Sequence, residues 1–226
     1  MKKISLVTVV AAFLFQAYPV SGQNVFEKGA SAVKGWFSGL KKNNVVEEHP
    51  DIFEFTIDQN LVVPETGQYS DQIRSAQDRE IKRLQKIKNI TLATLRGGEV
   101  IRITIPMSQL FFPNDTVLNA KSDLVLRPYL PYMRVPDYYH ILLVAHSDDT
   151  GSESYLMQLS SARANAVFDW FKNNGGNVDY LVPYGVGGYD PLKKNDSMDN
   201  RADNRRLEIY LIPAEEMILQ AKKGLL

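Results

Sequence analysis

The stretch from Tyr139 to Ala145 is a nearly continuous apolar run, interrupted only by His140. Apolar side chains on both sides of a pleat suit a strand that is covered on both faces. What lies on either side of this run sets the order of the remaining elements. Ile101, Ile103 and Ile105 alternate with Arg102 and Thr104 until Pro106 breaks the pattern, so a strand is expected there. Leu118 to Met133 begins as a helix that Pro128 and Pro131 limit or kink. Ser152 to Asn174 carries Leu159, Ala162, Ala166, Val167 and Trp170 along one side and stops at Gly175-Gly176, as a long helix does. Tyr180 to Val186 and Arg206 to Ile212 supply two further strands. Strand, helix, strand, helix, strand, strand predicts an α/β sandwich with its helices on one face of the sheet.

The chain ahead of Gly98 has a different texture. Met1, Lys2 and Lys3 precede an apolar run from Ile4 to Phe15, and small residues lie near Gly22. This is the plan of a secretory signal, expected to cover residues 1–22, and the run falls short of the roughly 20 apolar residues that span a bilayer. Phe26, Ala30, Val33, Phe37 and Leu40 recur at helical spacing among lysines, which suits a helix docked on a membrane surface, on a partner or on the protein itself. Ile52 to Ile57 alternates as a strand, and Asn60 to Tyr69 reads as loop. Ser70 to Leu95 reads as one charged amphipathic helix halted by Gly97-Gly98. Residues 23–98 are therefore expected to form a small, mostly helical N-terminal region with one strand, ahead of a domain at 99–213. The tail at 214–226 carries Met217, Ile218, Ala221 and Leu225, at the spacing of a final helix.

Composition narrows the function classes. Without cysteine, a disulfide framework, a thiolate metal site and a lipid-bearing cysteine are all excluded. Twenty-six basic and 26 acidic residues cancel, which gives no electrostatic reason to bind nucleic acid. A membrane barrel would need at least about eight amphipathic strands, and the N-terminal part offers one. Neither a Gly-x-Ser-x-Gly elbow nor a zinc-ligand spacing occurs, which leaves a wall-peptide hydrolase working through His146, Asp148 and Asp149 poorly supported. The three glycines Gly185, Gly187 and Gly188 lack the lysine and helix of a phosphate cradle, and no cofactor or metal is expected.

Chemistry concentrates after the buried run, at His146-Ser147-Asp148-Asp149-Thr150-Gly151. A carboxylate in a loop at the end of a buried strand sits where α/β proteins place ligand groups, and Arg163 lies on the following helix. Two readings stand open on spacing alone. The opposite charges pair with each other, or together they receive a zwitterion, the carboxylate taking an ammonium and the guanidinium a carboxylate.

These residues also carry a family resemblance. His146 to Gly151, then Leu159-Ser160-Ser161-Ala162-Arg163-Ala164, then Asn204-Arg205-Arg206-Leu207-Glu208-Ile209 resemble, in order and spacing, the OmpA-like C-terminal domain of flagellar stator proteins and peptidoglycan-associated lipoproteins. Leu110 to Thr116 resembles that family's loop after its first strand, and Tyr184 to Pro191 its glycine-containing turn. The resemblance implies an OmpA-like β-α-β-α-β-β domain with helices on a mixed sheet. It also implies an exported, periplasmic binding module that performs no chemistry and holds the diaminopimelate of the peptidoglycan stem peptide, tethering an envelope component or its partner to the wall. Carried over residue by residue, Asp148 and Arg163 grip the ligand, Arg205 is a second carboxylate-facing arginine, Asn114 is a polar contact, and Ser147 stands at a position that is usually threonine. Two departures are visible: Leu156 where the family has asparagine, and Ala145 where it has glycine. The first keeps an alternative open, an assembly protein that retains the fold without the ligand.

Overall fold

The computed structural model describes residues 56–61 and 63–226. The expected signal, the amphipathic helix around Phe26 to Leu40 and the strand residues 52–55 lie outside these. Thr56 and Ile57 do not extend that strand. The Thr56 hydroxyl accepts the backbone N–H of Gln59 at 3.3 Å and caps a short helix, α1, Ile57–Asn60.

The second helix, α2, spans Ser70–Leu84 and buries Ile73, Ala76 and Leu84. It does not run on to Leu95 as the apolar spacing suggests. Asn89 takes a positive φ of 60° and breaks the helical path. Beyond it Thr91–Leu95 forms β1, paired antiparallel with β2, Val100–Pro106, from Thr91 opposite Thr104 to Leu95 opposite Val100. Gly97 and Gly98, with φ of 68° and 99°, are the turn of this hairpin and not a helix stop. The apolar residue at 92 fits both a helical stripe and a strand face, and tertiary pairing decides between them. The sheet thus reaches back beyond residue 98.

The rest follows the expected order. Helix α3, Ser122–Leu126, passes into 3-10 turns over Arg127–Met133, where the prolines fall. Strand β3, Tyr139–Ala145, is buried almost throughout. Helix α4, Glu153–Asn173, starts at Ser152, whose hydroxyl accepts the Tyr155 N–H, and ends before Gly175 at φ 84°. Strand β4, Leu181–Gly185, precedes α5, Met198–Asn204, which periodicity did not reveal. Strand β5, Arg206–Pro213, is buried at every position, and α6, Glu215–Lys222, docks through Met217 and Ala221.

The sheet order is β1-β2-β5-β3-β4, antiparallel except for the β3–β4 pair, so the mixed sheet is as expected. Its two faces differ in kind. On one, Ile101, Ile103, Ile141, Leu143, Ile209 and Leu211 join a core with residues of α2, α4 and α6. On the other, Val100, Leu142, Val144 and Tyr210 meet Ile57 and Leu61, so the chain around α1 covers the side that lacks long helices.

Helix α4 lies unusually close to β4. A Cβ on Gly185 would stand 2.2 Å from the Ser161 nitrogen, a backbone atom with nowhere to go. Gly185→Ala is therefore expected to destabilise the protein by at least the roughly 1–3 kcal/mol of an overpacked core, read as a lower midpoint in urea unfolding with an unchanged slope.

Candidate functional site

The loop after β3 is fastened before it reaches the charged residues. The backbone N–H of His146 donates to the Arg206 carbonyl at 2.9 Å, and that of Ser147 donates to the Gly187 carbonyl at 2.7 Å. Asp148 then folds back on itself, one carboxylate oxygen accepting the Thr150 N–H at 2.8 Å in an Asx turn. The other oxygen pairs with the guanidinium of Arg205, which sits at the junction of α5 and β5. Asp149 reaches Arg201 of α5 at 2.9 Å and ties the same two segments at the surface.

Arg163 is placed by α4 and has 4% of its surface exposed. It does not pair with Asp148. Its Nε donates to the Asp115 carbonyl at 2.8 Å and its Nη2 to the Phe112 carbonyl at 3.3 Å, and its guanidinium carbon lies 5.3 Å from the centre of the Phe111 ring. Among the described residues no carboxylate lies within 4 Å of it. Burial lowers its pKa, with Tyr155, Asp115 and Asp148 acting against that shift and Arg205 with it. The guanidinium is charged nonetheless, because its ordinary pKa exceeds about 12. Arg163, Asp148 and Arg205 thus share one field carrying two positive charges and one negative.

The remaining expected residues occupy different depths. Asn114 is exposed at the tip of the loop that holds Arg163, at φ 56°, and the loop is closed by a bridge between Phe111 and Leu118. Ser147 is buried; its N–H is used by Gly187 and its hydroxyl has no partner among the described residues, so it braces the loop from behind. Leu156 is buried between two glycine segments, its methyl carbons 3.5 Å and 3.6 Å from where a Cβ on Gly151 or Gly188 would stand. His146 turns away from Asp148 altogether and meets Glu208 at 3.1 Å, the loop-orienting role rather than a metal-binding one.

Behind the site lies a cluster that spacing did not expose. Glu208, fully buried on β5, accepts Arg206 Nε at 2.8 Å and the His146 ring, and it shares the Tyr210 hydroxyl with Asp58 of α1 at 2.8 Å each. Burial alone would raise the Glu208 pKa, but His146 and Arg206 outweigh it and hold the carboxyl below its usual range. An ionised carboxylate only accepts, so His146 Nε2 is the donor. The signal was present in the sequence: Arg206, Glu208 and Tyr210 recur every second residue and so share a strand face. Asn204 was also missed as a brace, its side chain bonding both backbone groups of Lys193.

Residues 110–205, which hold all five expected ligand residues, match the OmpA family. They form an OmpA family domain. The OmpA-like domain is 33% identical over 103 residues to outer membrane protein A of Bordetella avium, a match covering 45% of this chain and 53% of that protein. It is 35% identical over 102 residues to the peptidoglycan-binding protein ArfA of Mycobacterium tuberculosis, covering 44% and 31%. The chain therefore spans about half, or less, of the length of these curated relatives. A MotB-like protein of Desulfovibrio vulgaris shares the fold at a TM-score of 0.58 and 23% identity, over 66% of this chain and 96% of that one. Of these relatives, ArfA is named a peptidoglycan-binding protein.

Burial raises the Asp148 pKa while the Thr150 N–H and Arg205 lower it, and the net shift is downward. A depressed carboxyl stabilises the fold above its ordinary pKa and loses that contribution as pH falls through the folded value. Arg205→Ala should move the Asp148 titration, followed by carboxyl 13C NMR, to higher pH. An unmoved midpoint would mean that Arg205 does not hold this charge.

Proposed function

We propose that the OmpA-like domain holds peptidoglycan non-covalently, by the free end of diaminopimelate in the stem peptide, and so anchors an envelope component to the cell wall. The observation that carries this reading is the state of Arg163, a buried guanidinium fixed by two carbonyl oxygens with no carboxylate among the described residues at contact distance. Carbonyls orient such a group without neutralising it, and a ligand carboxylate supplies what is missing. The amino-acid end of diaminopimelate also carries an ammonium. Asp148 uses one oxygen for Thr150 and the other for Arg205, and each oxygen keeps a further lone pair for that second charge. Arg205, partly exposed beside Asp148, supports the carboxylate end, Asn114 contributes from the rim, and Ser147 holds the loop in place. The lysines and apolar run at the start of the sequence support the part of this reading that puts the domain in the periplasm.

Leu156 favours a second reading, an envelope assembly protein that keeps the fold without the ligand, because an apolar side chain fills the place of a family hydrogen-bonding residue. Among the described residues no helix is long and apolar enough to cross a membrane, which suits either reading.

Co-sedimentation with purified sacculi separates the two. The wild-type chain is expected to pellet with the sacculi, and Asp148→Ala and Arg163→Ala are each expected to weaken binding about tenfold or more, since a charge-assisted hydrogen bond contributes roughly 1.5–3 kcal/mol. Wild-type protein remaining in the supernatant, with unchanged circular dichroism, favours the assembly reading.

A further inference from the structure

The ligand charges stand on segments that leave the sheet in different directions, and both segments are fixed at one point. Asp148 follows His146 by two residues, and Arg205 directly precedes Arg206. His146 and Arg206 each bond the Glu208 carboxylate, one at each oxygen. The backbones of the same two residues are joined by the His146 N–H to the Arg206 carbonyl. Arg206 also reaches the carbonyls of Asn204 at 3.3 Å and Asp190 at 2.9 Å, which tie in the C-terminal end of α5 and the loop between β4 and α5. Glu208 thus joins the two chain segments whose separation sets how Asp148 and Arg205 meet.

The cluster lies on the face of the sheet opposite α4. The Tyr210 hydroxyl has one hydrogen and lies 2.8 Å from carboxylate oxygens of both Glu208 and Asp58. Asp58 is held by Arg102 of β2, which lies 3.9 Å from Glu208. The backbone N–H of Ile57 donates to the Asp190 side chain at 3.1 Å, and Arg96 donates to the carbonyls of Gln59 and Leu61. The chain from Ile57 to Leu61 is therefore latched across the back of the ligand site by polar contacts, with Ile57 and Leu61 as apolar anchors.

We propose that Glu208 is a positioning residue for the wall-ligand site, and that the segment 57–61, docked through Asp58, sets the position Glu208 enforces. The inference rests on the wall-binding reading and deepens it: ligand affinity depends on a segment that lies on the other side of the sheet. The physical reason is competition for one proton. While Asp58 shares the Tyr210 hydroxyl and neutralises Arg102, Glu208 directs its charge to His146 and Arg206. When Asp58 loses its charge or leaves, Arg102 is freed towards Glu208, the Tyr210 hydroxyl turns fully to it, and its hold on the two ligand-bearing segments is divided.

The experiment is a double-mutant cycle in the full chain, titrating a soluble disaccharide-tripeptide muropeptide that contains diaminopimelate into the wild type, Asp58→Asn, Glu208→Gln and the double variant. Asp58→Asn is expected to weaken binding about three- to tenfold, a coupling typical of residues in one hydrogen-bond network. Glu208→Gln should weaken it more, and the double variant no further than Glu208→Gln alone. In Asp58→Asn the carboxyl 13C signal of Asp148 and the Nε–H signal of Arg205 should shift while the amide signals of β2 and β3 stay in place, which a merely stabilising role would not produce. Should Glu208→Gln fail to fold, the affinity and NMR signals of Asp58→Asn, a partly exposed position, decide the matter. Wild-type affinity in Asp58→Asn, or losses that multiply in the double variant, would overturn the inference alone. No binding by the wild type would overturn the wall-binding reading and this inference with it.

Discussion

A guanidinium taken out of water and given carbonyl oxygens but no carboxylate is an unfinished electrostatic arrangement. Among the described residues Arg163 is in that condition, held by the loop from Phe111 to Leu118 on one side and by α4 on the other. Burying a charge without a counter-charge costs several kcal/mol unless hydrogen bonds offset it, and carbonyl dipoles offset only part. A fold tolerates such a group when the rest of its core is secure. Here the security comes from the central strands, with β5 bonded on both sides and buried at all positions.

The site keeps Arg163 apart from the pair formed by Asp148 and Arg205. Arg205 and Asp148 pair directly, while Arg163 approaches from a separate rigid helix and is restrained by backbone atoms of a third segment. Three charges on three elements keep their arrangement because each is fixed by a bond that does not involve the others: Thr150 for Asp148, Asp115 for Arg163, and the turn from α5 into β5 for Arg205. Preorganisation of this kind lowers what a ligand must spend on ordering the site. The buried carboxylate of Glu208 does for the backbone what these bonds do for the side chains.

Much of this was legible before any coordinates. The isoleucine alternation from Ile101 states a strand's period, the glycines at Gly175 mark a helix stop, and the apolar run at Tyr139 to Ala145 is too short for an ordinary helix. Thr91 to Leu95 was not legible as a strand, because its two leucines fit a helical stripe continued from Ile81 and Leu84 as readily as a strand, and the choice belongs to its antiparallel partner. At the site, the charges of Asp148 and Arg163 were legible, but their partners were not. Which arginine takes Asp148 depends on how α5 delivers Arg205, and α5 is a short capped helix without a periodic stripe. The Glu208 cluster was hidden for a similar reason, since its members Asp58, His146 and Tyr210 are far apart in the chain and meet only across the sheet.

If Arg163 receives a ligand carboxylate as proposed, changing that one functional group on the ligand tests the contact most directly. Calorimetric titration of the full chain with a stem tripeptide whose diaminopimelate side-chain carboxylate is free, against the same peptide with that carboxylate amidated, isolates the contact. The amide is expected to bind at least about tenfold more weakly, the loss that follows when a charge-assisted contact to a buried guanidinium is removed. Equal affinity for the two peptides would contradict it.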